Sequence, residues 1–393
     1  MAMPHALLAT HHFVRWSGSE IVLVEFGEAL AARGFEITLL APFIDQGFVA
    51  EAVPGWRVLS DPQHVDLSLY DLAYCQHQVL SASIAENVDV VLDPRARPFF
   101  VYNHLSGLEP FEMPGPFVEA DVADLIWCQA PRTRKVLLEL CGPAFRRTRI
   151  VPNPSPRAFV RNAEPPTPLK RLLSVSNHRP PELLSAFEIL ERDGVEVSFI
   201  GGNKNQRRRL QPADIAASDA VVTIGKTVQF ALLSRRPVFI YDHFGGGGWL
   251  DTAEELNRAG YINFSGLDQP RSLTAEEIAA SVQSGYRQAE AFTKGVGQGR
   301  LRRYVWDDYI DELLARLEQH RENPEPIVGV RERGLRQEAL HRRWRHEALL
   351  YGLIDRHYKA QVTLGARNEQ LKRQVQQLRT TVGTLQADHE NPR

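Results

Sequence analysis

Hydrophobic positions along this chain alternate between two rhythms. Ala6 to Ala9 is a short apolar run of the kind that forms a buried strand, and a polar loop through His11, His12, Ser17, Gly18 and Ser19 follows it. Leu23, Phe26, Gly27 and Leu30 then fall at the i, i+3, i+4, i+7 spacing of one helix face, and Arg33-Gly34 supplies a C-terminal stop. Phe35 to Ala41 returns as a strand. Further strands are expected at Asp71 to Cys75, Phe99 to Asn103, Leu125 to Gln129 and Thr148 to Val151, with helices at Val79 to Glu86 and Arg132 to Leu140. Strand and helix alternate, which predicts a parallel, doubly wound sheet.

The run Val151-Pro152-Asn153-Pro154-Ser155-Pro156, with Pro165-Pro166-Thr167-Pro168 shortly after it, sustains neither a helix nor a central strand and marks a domain boundary. Beyond it the alternation resumes: strand Arg171 to Ser176, helix Pro181 to Glu191, strands Val195 to Ile200 and Ala220 to Ile224, helix Thr227 to Ser234, strand Val238 to Asp242. The expected fold class is therefore α/β, with two tandem Rossmann-like domains over residues 1–152 and 153–320 and a helical extension over 321–393. Arg300 to Gln319 reads as one amphipathic helix that either closes the second domain or crosses back to the first. Arg331 to Lys359 carries eight Lys/Arg against four Asp/Glu, interleaved with Trp344, Leu349, Leu350, Tyr351 and Leu353. Such a segment either packs on the domains or lies on an anionic membrane surface. Leu364, Leu371, Val375, Leu378, Val382 and Leu385 fall largely on alternating three- and four-residue steps, the seam of a coiled coil that would join copies of the chain.

Composition fits this division: 393 residues with 43% apolar content suffice for two ordinary domains and an extension. With 24% charged residues, a net charge of −2 and both signs interspersed, the balance excludes an overall nucleic-acid binder. Cys75, Cys128 and Cys141 lack metal-ligand spacing and read as reduced core thiols of a cytosolic protein. Apolar runs all fall short of the roughly 18 residues that a spanning helix needs, so a soluble or peripherally attached protein is expected.

The strongest local signal is Ala220 to Thr227, a buried strand that delivers Gly225-Lys226-Thr227 to a helix start. Helix N-termini carry a partial positive charge of roughly half a unit, and with an ammonium alongside the site suits a diphosphate. A P-loop would need glycine at 220 and a glycine-rich loop at 221–224, and neither is present. The alternative for Lys226 is a solvated position on an ordinary helix turn. In a doubly wound sheet the carboxyl ends of the strands share one edge, so Ser176-Asn177-His178, Gly201-Gly202-Asn203-Lys204 and Asp242-His243-Phe244 should converge with Gly225 on one crevice. The glycines at 201, 202 and 245–248 allow close approach to a ligand, or, for the last four, a mobile turn.

In the first half, the Trp16-Ser17-Gly18-Ser19-Glu20 loop lacks the spaced glycines of a nicotinamide or flavin enzyme. His104, beyond the strand ending at Asn103, either acts on a phosphate or acceptor hydroxyl or is a structural hydrogen-bonder. Glu109 and Glu112 follow on a loop where an acceptor sugar would be oriented, or are simply solvated. The chain has no Asp-x-Asp and no His/Cys cluster with metal spacing, which favours metal-independent chemistry without a cofactor.

The Ser17-Gly18-Ser19-Glu20 loop and the Ala29-Leu30-Ala31-Ala32-Arg33-Gly34 helix end resemble the opening of bacterial GT-B glycosyltransferases related to family four. Val151-Pro152-Asn153-Pro154, Val175 to His178, Gly201-Gly202, Gly225 to Gln229 and Tyr241 to Gly246 look like a polysaccharide-associated branch of that superfamily. The resemblance spans roughly residues 1–320. It implies a nucleotide-diphosphate sugar on the second domain with its diphosphate near Gly225, Lys226 and Thr227, and Gln229 within the donor region. It also implies that Gly18 and Ser19 approach the donor phosphates, that a glycan or lipid-linked acceptor enters from the first domain, and that His104 is the histidine nearest the transferred sugar. Two glutamates often found in such donor sites are replaced here by a region holding Thr223, Gln229 and Phe230. Three functions thus remain: a glycosyltransferase, a nucleotide-sugar epimerase or hydrolase, and a scaffold that keeps the fold without turnover.

Overall fold

The computed structural model describes residues 3–107, 118–162, 167–202, 207–266, 273–327 and 335–390. The first unit contains strands β1 (His5–Ala9), β2 (His12–Phe13), β3 (Glu36–Leu40), β4 (Phe43–Ile44), β5 (Arg57–Leu59), β6 (Leu72–Cys75), β7 (Phe99–His104), β8 (Leu125–Cys128) and β9 (Arg149–Ile150). Seven of them form a parallel sheet in the order β5-β3-β1-β6-β7-β8-β9, and β2 pairs with β4 beside it. All six residues of β7 are buried, as expected of a central parallel strand covered on both faces. The helices are α1 (Gly18–Ala31), α2 (Gln46–Ala52), α3 (Leu80–Glu86), α4 (Val88–Leu92), α5 (Val118–Val122) and α6 (Pro131–Cys141). Cys75 and Cys128 are buried free thiols and Cys141 is partly buried.

The second unit repeats the plan with β10 (Arg171–Val175), β11 (Glu196–Ile200), β12 (Ala220–Thr223), β13 (Val238–Asp242) and β14 (Gly245–Trp249), ordered β11-β10-β12-β13-β14. Its helices are α7 (Pro181–Arg192), α8 (Pro212–Ala216), α9 (Lys226–Leu233), α10 (Ala253–Tyr261), α11 (Ala275–Gly295) and α12 (Gln298–Arg302). The glycine run at 245–248, expected as a ligand-approach loop or mobile turn, is instead the antiparallel edge strand β14. Its register shifts between Ile240 and Asp242, and a Cβ at Gly246 would lie 2.0 Å from the Ile240 carbonyl oxygen, so that close crossing requires glycine.

Arg300 to Gln319 is not one helix. The chain leaves α12 and restarts in α13 (Asp307–Glu322), because the backbone between them bridges to the linker: the Ser155 N–H donates to the Tyr304 carbonyl at 2.8 Å and the Trp306 N–H to the Ser155 carbonyl at 3.2 Å. Tyr309, Ile310, Leu313 and Leu317 then bury in the first unit's core beside Phe26 and Leu30, so the helix crosses back. A 56-residue helix, α14 (Leu335–Glu390), follows. Leu340, Trp344 and Tyr351 join the first unit's other core layer, whereas Leu349, Leu350, Leu353, Leu364, Leu371 and Val375 are exposed. Among the described residues no helix is long and apolar enough to cross a membrane.

Close packing of α1 on the sheet depends on Gly27, where a Cβ would meet the Trp56 ring at 2.2 Å and Leu8 Cδ1 at 2.8 Å. Gly27→Val is expected to destabilise the protein by about 1–3 kcal/mol through overpacking, read as a lower urea midpoint with unchanged slope.

Candidate functional site between the two sheets

Parallel strands deliver their carboxyl-end loops to one edge, and here the two edges face each other across a cleft of about 270 Å³. From the second unit the loops after β10, β11, β12 and β13 bring Ser176, Asn177, His178, Gly201, Gly225, Lys226, Thr227, Asp242 and His243 to its wall. The first unit supplies Trp16, Ser17, Gly18 and Ile21. Gly201 has φ +87°, and a Cβ there would sit 2.7 Å from the Ser176 carbonyl oxygen, so the turn after β11 can approach β10 only without a side chain. Gly225 caps α9 at φ +60° and ψ −134°, a conformation open to glycine. The positive end of the α9 dipole thus opens on the cleft.

The Lys226 ammonium points elsewhere. It is 7% exposed and pairs with Glu25 Oε2 of α1 at 2.8 Å. It also donates to the Asn153 carbonyl at 3.0 Å, to Ser155 Oγ at 3.2 Å and to the Pro154 carbonyl. Burial pulls the lysine pKa down and the Glu25 pKa up, and each partner opposes the shift of the other. Oxygen acceptors on several sides call for the three N–H donors of an ammonium, so the charged pair is the form the geometry supports. Gln229 is equally committed: its Nε2 donates to the Pro152 carbonyl and to Asn263 Oδ1, each at 3.4 Å.

His104 is buried away from the cleft, with Nε2 hydrogen-bonded to Glu119 Oε1. Burial raises the Glu119 pKa and His104 opposes that shift. Ser19 lies just off the cleft wall, its hydroxyl donating to Glu20 Oε2 at 2.8 Å. Gly202 likewise flanks the wall, facing Arg179. Lys204, Glu109 and Glu112 lie outside the described residues.

Basic groups around the cleft include Arg15, which no motif singled out, and Arg207, from a run of three arginines that stands without interleaved aromatics and suits a helix cap or a phosphate contact better than a nucleic-acid patch. Among Arg207-Arg208-Arg209, Arg208 forms a bidentate pair with Asp214 at 2.6 Å, and Arg209 spans the units to grip Glu28 at 2.5 and 2.6 Å. Arg207 lines the cleft, and among the described residues it has no carboxylate partner. Burial lowers its pKa, and the guanidinium of Arg15 from the opposite unit lowers it further. His178 is also held below its ordinary value, first by burial, then by His243, Arg15 and Arg207, with Asp242 opposing. Asp242 is buried, which raises its carboxyl pKa, and its Oδ1 accepts the Phe244 N–H at 2.8 Å. The sequence signal for Arg207 was the run of three consecutive arginines; Arg15 carried none.

The sequence matches no protein-family model and no curated protein. Solved structures similar to the chain include MurG from Acinetobacter baumannii, with TM-score 0.50 and 9% identity over 80% of this chain and 99% of that one. A glycosyltransferase from Rickettsia africae gives 0.46 and 10% over 82% and 100%, and UDP-GlcNAc 2-epimerase from Neisseria meningitidis bound to UDP-GlcNAc gives 0.46 and 10% over 80% and 99%. At such identities the likeness defines the fold alone: the chain has the GT-B architecture, two facing α/β units with a helical C-terminal extension.

Removing one member of a buried ion pair leaves the other uncompensated. Lys226→Met is expected to cost about 3–5 kcal/mol in urea unfolding, and Glu25→Gln combined with Lys226→Met should recover most of that loss. A double variant as unstable as the single one would show that the pair is not coupled.

Proposed function

We propose that the protein is a glycosyltransferase of the bacterial polysaccharide branch related to family four, moving a sugar from a nucleoside-diphosphate donor to a glycan or glycolipid acceptor. The observation that carries this reading is the cleft itself, where the loops after β10 to β13, the start of α9 and Arg207 meet the Ser17-Gly18 turn, with Arg15 of the first unit near enough to disfavour the Arg207 charge. A dianionic diphosphate between them would relieve that repulsion. In this arrangement Ser176, Asn177 and Gly201 face the nucleotide, and His178, His243 and Thr227 flank the phosphates. Gly18 and Ser19 close from the first unit. Lys204 would add a further cation, and Glu109 and Glu112 would orient the acceptor.

During transfer the acceptor hydroxyl oxygen bonds the anomeric carbon while the bond to the diphosphate breaks, and the hydroxyl proton passes to the departing diphosphate. Negative charge then grows on the leaving group, where fixed guanidiniums and the helix dipole stabilise the transition state more than the ground state. Cations from the protein itself suffice for this role, so the proposal calls on no metal. Lys226 contributes by fixing the start of α9, and His104 by holding α5 through Glu119. A second reading, a nucleotide-sugar-binding subunit without turnover, is favoured by the commitment of both residues to internal ion pairs. An epimerase or hydrolase reading is separated from both by incubating UDP-GlcNAc without acceptor and following both the change of configuration in the nucleotide sugar and the free sugar released.

The protein is proposed to work in the cytoplasm at a membrane surface, with Leu349, Leu350 and Leu353 framed by Arg345 and Arg356 as the contact. The exposed Leu364, Leu371 and Val375 would pair two copies. Light scattering should give twice the 44.4 kDa chain mass, and Leu364→Lys with Leu371→Lys should give the single mass. Flotation with anionic vesicles should be lost in Leu349→Glu with Leu353→Glu; retained flotation would remove those leucines from the contact.

Donor binding is tested by thermal stabilisation with UDP, ADP, GDP and their sugars, since a ligand of the folded state raises its stability by mass action. Arg15→Ala and Arg207→Ala should each weaken binding by about 1.5–3 kcal/mol, roughly ten- to a hundredfold. Because the free His178 pKa is depressed and a bound anion raises it, binding takes up protons, and affinity should rise as pH falls from 8 toward 6. Silence across the whole panel would sink the donor site.

A further inference from the structure

Three neighbouring strands of the first sheet, β1, β6 and β7, end along the edge that faces the cleft, and α14 lies across all three of their following segments. Glu347 accepts the Val118 N–H at 3.0 Å at the start of α5, which follows β7. Arg345 pairs with Glu86 at 3.3 Å on α3, which follows β6. After β1, the Asp355 carboxylate meets the fully buried Nε2 of His11 at 2.7 Å.

Tyr358 sits edge-on to His11, with ring centroids 4.8 Å apart, and stacks on His12 at 5.7 Å. His12 Nε2 in turn lies 3.6 Å from Glu20 Oε1, and the other oxygen of Glu20 accepts from the hydroxyls of Ser17 and Ser19. Ser17 is on the cleft wall. A short chain of side chains therefore runs from α14 to the first turn of α1. His11 is kept neutral, its pKa pulled to about 4 by burial, with Asp355 pulling it up and His12 and His77 pushing it down.

We infer that Asp355 and Tyr358 of α14 are positioning residues that hold the His11-His12 segment and, through Glu20, the Ser17-Gly18 turn of the cleft wall. The inference deepens the transferase reading, in which this turn closes on the donor, but the positioning does not depend on that reading. Trp344 and Tyr351, buried earlier along the same helix, make this part of α14 a fixed surface rather than a passing contact.

The test uses the full chain and compares Asp355→Ala and Tyr358→Ala with the conservative Asp355→Glu and Tyr358→Phe, and with Leu371→Ser as a distant control. Amide exchange at residues 10–20 should rise about tenfold or more in both alanine variants, and exchange in β10 to β13 should stay unchanged. UDP affinity should fall in the same two variants, because Arg15, Gly18 and Ser19 lie in the loosened segment, and the conservative variants should restore it. Unchanged exchange at 10–20 overturns the proposal, and so does exchange that rises equally in β10 to β13. Absence of transfer by the unaltered protein would sink the transferase reading, while the exchange comparison would still decide the role of α14.

Discussion

The buried ion pair between Glu25 and Lys226 is the constraint around which the two halves are arranged. Proline at 152, 154 and 156 strips the linker of donors and keeps it out of helix and sheet, so its carbonyl oxygens need partners from elsewhere. Lys226 supplies them from the first residue of α9, and Glu25 supplies the counter-charge from the middle of α1. One ammonium thereby ties together a helix from each unit and the segment that joins them. With one partner removed and the interface still closed, the other charge would be uncompensated in a low-dielectric interior, so the two residues belong together at the floor of the cleft.

That commitment decides where ligand charge can be met. With the lysine engaged below, the positive groups at the cleft among the described residues include the α9 dipole and Arg207 on one side, with the charge of Arg15 reaching Arg207 from the other. Arg208 and Arg209 are neutralised by Asp214 and Glu28, so the three consecutive arginines serve a local brace, a link between units, and the cleft. Glu28 and Glu25 lie on the same helix, one turn apart, and both reach the second unit. The interface is therefore electrostatic along α1, and the cleft above it is cationic.

Much of this was legible in the sequence because it is local. Strand runs such as Phe99 to Asn103, the face of α1 and the loops at 176–178, 201–202, 225–227 and 242–243 follow from periodicity and from the rule that parallel strands end on one edge. What escaped depends on partners far away in the chain. Gly225-Lys226-Thr227 looks the same whether the ammonium turns toward a phosphate or toward Glu25, and only the tertiary partner selects the direction. His104 ends a buried strand whose side chains alternate between faces, and Glu119 on the next helix fixes which side it serves. The break between α12 and α13 was hidden because the buried Leu301, Tyr304 and Val305 keep the i, i+3, i+4 spacing of a helix while the Tyr304 carbonyl and the Trp306 N–H bond Ser155.

The chain crosses between the units twice, at the proline linker and at the α12 to α13 turn, and these crossings meet at the Ser155–Val305 bridge. After the second crossing, α13 packs in the core beside α1, and the first part of α14 is held to the first unit by Trp344, Glu347 and Asp355. The Ser17-Gly18 rim of the cleft is thus built on one body with these helices, the loops of β10 to β13 belong to the other, and Arg15 of the first disfavours the charge on Arg207 of the second.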